Sequence, residues 1–336
     1  MSVLRNGQLR DRFTVQVDDH IQEMDLFQTG FDGYIEVEIV SEEVTSTIKI
    51  QENSVWYLES IPEHNRRGET RVRLLTGLID ISVTGRNGWH TLVLDSRSAV
   101  VRIQEGRVLV HAAPDDSTFT GIITGRIRIH TAGRESLGRE GEAFEVIPNT
   151  SPRRLDGIAG DVFTVHDQWA TARMQVFRAG APSFTRAYAR RFADTREEFE
   201  AARQQVSAHA QRLHAALQQS GSVRDDMVLR TDMSPAIIRV RSIAPLFEQT
   251  VYRLQELRRF HDQGIGRTVI NGGGSAEFFG RFAAEERALM IQLSQVRATL
   301  ARYEELERRS FGGLPVGPSE LDNPFPEDGF LETFRF

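Results

Sequence analysis

Leu75-Thr76-Gly77-Leu78-Ile79-Asp80-Ile81-Ser82-Val83 is the stretch on which the reading of the first half of the chain turns. Behind the glycine, apolar and polar residues alternate to Val83, and a period of two with β-branched residues on one face is the pattern of a half-buried strand. The same form recurs at Leu4-Arg5-Asn6-Gly7-Gln8-Leu9, at Gln104-Glu105-Gly106-Arg107-Val108 and at Ile123-Thr124-Gly125-Arg126-Ile127. A glycine at that place permits a positive φ or a bulge where the chain turns into a strand. The spacing is unequal, which argues for recurrent hairpins in a compact β domain and against a solenoid.

Working outward, Tyr34-Ile35-Glu36-Val37-Glu38-Ile39-Val40 and Thr47-Ile48-Lys49-Ile50 alternate in the same way. Turn residues separate the runs, at Asp32-Gly33, Arg66-Arg67-Gly68, Arg86-Asn87-Gly88 and Pro114-Asp115-Asp116. Frequent turns between short strands predict an all-β sandwich or roll over residues 1–150.

From about Val165 the period changes. Asp194-Thr195-Arg196-Glu197 has the form of a capping box, and Phe199, Val206, Leu213 and Leu217 follow on one helical face toward Gly221. Leu246, Val251, Leu254 and Leu257 predict a second long helix, ending near Gly264. Ser275 opens a third that carries Phe278, Phe282, Leu289, Leu293, Val296, Leu300 and Tyr303 to about Arg309. A shorter helix over 166–192 is expected to break at Gly180-Ala181-Pro182. Residues 225–244 read as a crossover with a short strand at Ile237–Arg241, and Asn271-Gly272-Gly273-Gly274 as a flexible hinge. The fold class is therefore α+β in two domains. The β domain (1–150) leads through a linker (151–165) to an antiparallel helical bundle with coiled-coil character (166–311) and a flexible tail (312–336).

Composition narrows the function. The 336 residues carry 41 basic and 47 acidic side chains, a net charge of −6, opposite in sign to a general nucleic-acid binder. With no cysteine, disulfides, thiolate metal sites and cysteine nucleophiles are all excluded. Lys49 is the single lysine, so arginine supplies nearly all the positive charge. No window is apolar for long enough to span a bilayer.

Asp25-Leu26-Phe27-Gln28-Thr29-Gly30-Phe31-Asp32-Gly33-Tyr34-Ile35-Glu36-Val37 resembles the threonine-glycine, turn and strand element of FecR-like domains of bacterial envelope proteins. Ile48–Trp56 is similar to the strand and asparagine-serine turn that follow. Leu137-Gly138-Arg139-Glu140-Gly141-Glu142-Ala143-Phe144-Glu145-Val146 is similar to the closing strand. The resemblance covers residues 2–148. It implies a non-catalytic β module outside the cytoplasm, in its best-known setting one that spans the inner membrane and relays a signal to a sigma factor. This chain departs from that plan, with a helical region following the β half and no membrane helix. With the resemblance, the start at Val3-Leu4-Arg5 is read as a periplasmic or envelope chain trimmed of its signal peptide; a cytoplasmic chain is the alternative.

Candidate chemistry is sparse. His111 and His130 stand five residues after Gly106 and Gly125. If their strands pair, both leave the same face as Arg107, Arg126 and Arg128, a face suited to an anion or a glycan. The plainer reading is a solvated sheet face. Two histidines are too few for zinc without further ligands in register, so neither metal nor cofactor is expected. His209 and His214 are five apart, which does not align two ligands on a helix. Gly272-Gly273-Gly274-Ser275 lacks the spacing and lysine of a P-loop. Trp89, in a turn, is the aromatic candidate for sugar stacking. Trp56 and Tyr57 point to opposite faces of a strand, so one belongs to the core. Phe330, Phe334 and Phe336 end the chain on an aromatic pattern that either docks on its own bundle or serves as a motif for a partner.

These readings predict a non-enzymatic binding or scaffold protein of the envelope. The β module engages a partner protein or cell-wall glycan, and the helices position it or form a homo-oligomer. A ligand-sensing signal-transduction module is the alternative, and an enzyme acting on envelope polysaccharide ranks third.

Overall fold

The computed structural model describes residues 2–5, 8–11, 19–40, 44–60, 69–85, 91–131, 133–155, 161–218, 223–270 and 272–310. Strands occupy the first half: β1 (Ser2–Arg5), β2 (Gln8–Asp11), β3 (Leu26–Gln28), β4 (Ile35–Val40), β5 (Val44–Ile50), β6 (Val55–Ser60) and β7 (Glu69–Gly85). They continue with β8 (Thr91–Asp95), β9 (Val100–Ala112), β10 (Thr118–Thr131), β11 (Arg134–Arg139), β12 (Ala143–Val146) and β13 (Arg153–Arg154). Helices dominate the second: α1 (Val162–Ser207), α2 (Ala210–Gln218), α3 (Val223–Asp262) and α4 (Ser275–Ser310). The protein is thus α+β, a large sheet followed by a helical region.

Three of the glycines stand within strands, not ahead of them. The first half of β7 pairs with β6 and, in parallel, with β8, while its second half, beyond Gly77, pairs with β5 and β9. β9 changes partners at Gly106, from β8 to β7, and β10 changes at Gly125, from β12 to β11. Each long strand therefore serves two layers and turns a corner at its glycine. The expected hairpin starts are corners, because a local glycine-strand pattern is the same in both cases. Gly77, Gly106 and Gly125 have φ of 98°, 128° and 86°. Gly106 and Gly125 face each other in register. A Cβ on either would lie 2.2 or 2.3 Å from a carbonyl oxygen of the other strand.

Between the layers the inward rows meet: Trp56, Leu58, Leu74, Leu94 and Ile103 on one side, Ile48, Ile81, Val108 and Val110 on the other. Trp56 is fully buried here and stacks on Phe27 with ring centroids 4.9 Å apart. Parts of the outward rows are apolar too. Leu4, Leu26, Val55, Tyr57 and Leu75 join the core of the helices, and Leu109, Phe119 and Ala143 pack against Val162, Val165 and Trp169 at the start of α1.

The helical boundaries differ from those expected. Asp161 caps α1 by accepting from the Thr164 amide at 2.8 Å, so the helix begins inside the expected 151–165 linker and Asp194 lies in mid-helix. α1 continues for 46 residues through Pro182. The small Ala181 there is fully buried, 3.3 Å from where a Cβ on Gly266 would stand, so the supposed breaker is a site of close backbone approach. Residues 225–244 are helical through Pro235, without a strand, and α3 runs on through Pro245. Ala236, Ile237, Val240, Ile243 and Ala244 are buried at helical spacing, and this burial offsets the lost backbone hydrogen bonds. α4 begins at Ser275 as the sequence predicts. Residues 272–274 form no loose hinge: β14 (Val269–Ile270) and β15 (Gly273–Gly274) make a small hairpin, with Gly272 at φ 81°. Ring contacts of Phe177 with Phe260 and of Phe199 with Phe247 run α1 and α3 antiparallel, and Arg258–Glu286 and Arg241–Glu304 do the same for α3 and α4.

The corner geometry sets an expected outcome. Gly106→Ala should cost more than about 3 kcal/mol, combining left-handed strain with the carbonyl clash, whereas Gly141→Ala, also at positive φ but in open space, should cost about 1 kcal/mol. Urea unfolding of both variants measures the difference.

Candidate functional site

The turn between β9 and β10 carries the charge that ties the sheet to the helices. Asp116 adopts φ 66° and is only 6% exposed. Its carboxylate accepts from Arg253 Nε of α3 at 3.1 Å, from Tyr188 Oη of α1, and from Arg97 of the β8–β9 turn. Arg253, 2% exposed, also bonds Glu256, which accepts from Thr76 Oγ1 of β7 at 3.1 Å. Burial pulls the Arg97 guanidinium down to about 10 against the pull of Asp116. Asp115, beside it, accepts from Ser117 and pairs with Arg173 of α1 at 3.2 Å.

A second group lies along α1. Glu145 of β12 accepts from Trp169 Nε1 (2.9 Å), Arg173 Nη1 (3.0 Å) and Arg153 Nη2 (2.5 Å). Burial works to raise its carboxyl, but these donors hold it below the ordinary value. His111 Nδ1 stands 2.9 Å from His166 Nε2, and His166 Nδ1 is 3.1 Å from Asp167. With His166 donating to Asp167, His111 donates to His166 and both rings are neutral. Burial, His166 and Arg253 push His111 down to about 3, and burial lowers His166 despite Asp167.

A third group joins β6 and β7 to α3 and α4. Tyr57 donates to Glu248 at 3.0 Å, Glu248 pairs with Arg297, and the Arg297 guanidinium lies 5.3 Å over the Tyr57 ring. Arg73 pairs with Asp95 at 3.1 Å in the same buried belt. All three groups hold elements together.

An accessible concavity lies between α1 and α4. A half-open groove of about 500 Å³ is lined by Phe192, Phe278 and Phe282, with Arg281 and Glu277 at the rim. A further hollow of about 300 Å³ continues it over Phe199 and Phe247. Arg196 and Glu285 line both and bridge between them at 2.7 Å. Phe192 meets Phe282 edge to face at 5.7 Å, and the Arg196 guanidinium lies 5.5 Å over the Phe192 ring. Such a surface can take an apolar or aromatic segment and orient it by the rim charges.

The expected arginine-histidine face is divided. Arg107 makes a bidentate pair with Asp80 (3.0 and 2.6 Å) beneath Phe163 of α1, and His111 turns to His166. Arg126 and Arg128 are exposed, Arg128 reaching Glu135 at 3.3 Å, and His130 is 3.5 Å from the same carboxylate. His111 lies opposite Phe119 and His130 opposite Val100, so about 35 Å of β10 separates the two histidines. Trp89, Phe330, Phe334 and Phe336 lie outside the described residues. Asp116, Glu145 and Glu248 escaped sequence reading, since a buried acid in a turn, strand or helix has the local pattern of a solvated one. The left-handed turn at Asp116 left a trace only in Pro114-Asp115-Asp116. Among the described residues no group of three or more His, Cys, Asp or Glu side chains could hold a metal ion. No helix among them is long and apolar enough to cross a membrane.

No family model and no curated protein matches the chain. Two crystal structures of a candidate anti-sigma factor from Parabacteroides distasonis ATCC 8503 are similar at TM-score 0.35, with 12% and 13% identity. The matches cover 43% and 42% of this chain and 64% and 62% of those chains, so the chain spans under two thirds of their length. Similarity at that level carries neither a family nor a function to this protein.

Two outcomes are expected at the junction. Arg253→Met should cost about 3–5 kcal/mol in urea unfolding, because Asp116 keeps its burial and loses a charge partner; in an Asp116→Asn background the cost should fall by more than about 1 kcal/mol. Both junction imidazoles are held below their unfolded value, so the unfolded chain binds more protons as pH drops below about 6.5. His111 should thereby remove about 2 kcal/mol of stability between pH 7 and pH 5. Glu304, pushed up to about 7 mainly by burial, acts in the opposite sense. Comparison with His111→Gln isolates the histidine: the variant should lose clearly less stability over that interval.

Proposed function

We propose that this chain is a non-enzymatic binding and scaffold protein of the cell envelope, in which the β-sheet half braces a helical bundle that receives an apolar segment of a partner protein. The observation that carries this reading is the aromatic-floored groove between α1 and α4. Aromatic side chains at the floor of a concave surface, rimmed by charge, are the usual anchors of helix-in-groove and peptide recognition. The strongly buried ionisable groups support it as well, since they are hydrogen-bonded across the junction and brace the bundle. A cell-wall glycan is the second ligand class; Trp56 and Tyr57 are both buried and give it no stacking surface, which leaves Trp89 as its aromatic candidate. The envelope location rests on the FecR-like motifs at residues 25–37 and 137–146.

The signalling alternative draws on Asp116. A ligand that displaced the β9–β10 turn would act on α1 and α3 together, because both donate to that carboxylate. Ligand-dependent hydrogen exchange in both helices would distinguish a relay from a static scaffold.

A photo-crosslinking residue at Ala193, exposed on the groove wall, tests the binding reading in the source cell against the same residue at Ser242, exposed on α3. A discrete partner adduct is expected from position 193 alone, and Phe278→Asp should abolish it. Indistinguishable adducts from the two positions would remove the groove as the docking site.

A further inference from the structure

We infer that the exposed face in the first half of α3 is the contact between two copies of this chain, which associate antiparallel about a two-fold axis level with Met233. The inference stands apart from the groove reading and names a different partner, a second copy.

The spacing along the face carries it. α3 buries Leu229, Met233, Ala236, Ile237 and Val240 against the rest of the chain. On its other side Val228, Thr231, Pro235, Ile238 and Ser242 are exposed, at intervals of three, four, three and four. Those intervals are the a and d seam of a heptad. Val228 is 53% exposed, Ile238 55%, and Met227 beside them 45%. A lone exposed valine or isoleucine is ordinary, but a row in heptad register is the mark of a partner helix. On one flank Asp232 bonds Arg212 of α2 at 3.0 Å, and on the other Arg241 bonds Glu304 of α4 at 3.1 Å. The seam lies between those two contacts and faces outward.

The face complements itself when a second copy is turned end for end. Val228 then packs on Ile238 of the second copy, Thr231 on its Pro235 and Arg224 on its Ser242. The smaller pair meets at the axis, where backbones must approach, and the larger pair lies at either end. The flanking charges agree with this register. Asp225 comes within reach of Arg239 of the second copy, and symmetry forms that pair twice. Asp232 meets its own counterpart at the axis, but each of these acids brings the guanidinium of its Arg212. A parallel arrangement would set each residue against itself and place Arg224 on Arg224 in the seam, a like-charge contact that disfavours it.

Size sets the strength. From Arg224 to Ser242 the seam is about 27 Å long and one helix wide, less than the about 800 Å² that each partner of a standard interface buries. The dimer is therefore reversible, forming in the micromolar range from folded monomers.

Sedimentation equilibrium of the full chain, 38.0 kDa as a monomer, from about 1 to about 200 µM is the first test. The average mass should rise with concentration toward twice the monomer value. Val228→Glu with Ile238→Glu should stay monomeric throughout with its helical circular dichroism unchanged. Val176→Glu, on an exposed face of α1, should associate like the unaltered chain. Arg239→Asp should weaken association about tenfold, and Asp225→Arg in the same chain should restore it. Register is read from cysteines, since the chain has none of its own. Val228→Cys and Ile238→Cys chains are mixed and oxidised mildly. The 228–238 disulfide should exceed either homodisulfide at least about tenfold, because position 228 lies about 15 Å along the axis from its own counterpart. A chain that is monomeric at every concentration would overturn the inference, as would dimers that persist in the double glutamate variant or homodisulfides in the majority. None of the seam residues lines the groove between α1 and α4, so such a failure leaves the groove reading standing. A photo-adduct at Ser242 with a second copy of this chain is told by its mass from the partner adduct expected at Ala193.

Discussion

Three backbone positions at positive φ set the form of this protein. At Gly77, Gly106 and Gly125 a long strand leaves one layer and enters the other, and only glycine meets both the left-handed backbone and the crowding at these corners. Because β7, β9 and β10 serve both layers, the two inner faces close on a single dry core, and each layer retains an outer face. Parts of those outer faces are apolar, Leu26 and Tyr57 on one side and Leu109 and Phe119 on the other. Apolar patches on an outer sheet face must be covered, and the helices meet that need.

Covering a sheet with helices does not by itself choose where they sit, since apolar contact is non-directional. The buried charges make the choice. Asp116 is satisfied only when Arg97, Tyr188 and Arg253 converge from a turn, α1 and α3, and Glu248 only when Tyr57 and Arg297 meet across the other face. A misplaced helix would leave an unpaired charge in a low-dielectric interior, an error worth several kcal/mol. The polar junction therefore acts more as a register device than as a source of net stability.

None of the side chains of these buried junctions lines the groove between α1 and α4. The sheet half fixes α1 and α3, and the groove opens between α1 and α4, where Phe192, Phe278 and Phe282 line it beside the β14–β15 hairpin. A rigid brace lowers the ordering cost of binding in such a groove.

The alternation of Ile79–Val83, the start of α4 at Ser275 and the division into a strand half and a helical half were legible in the sequence, because each depends on spacing between near neighbours. The corners were visible as glycines and misread as hairpin leads, since nothing local distinguishes a strand that begins from one that bends. Pro182 looked like a helix break and residues 225–244 like a crossover with a short strand, yet buried faces carry α1 and α3 through Pro182 and Pro235. His111 and His130 shared a place in the repeat and were parted by the register of β9 and β10. Local pattern by itself determined element type and the rough division of the chain. Tertiary structure alone decided which charges are buried, which partners they meet and where a groove remains, because those depend on residues up to 191 positions apart.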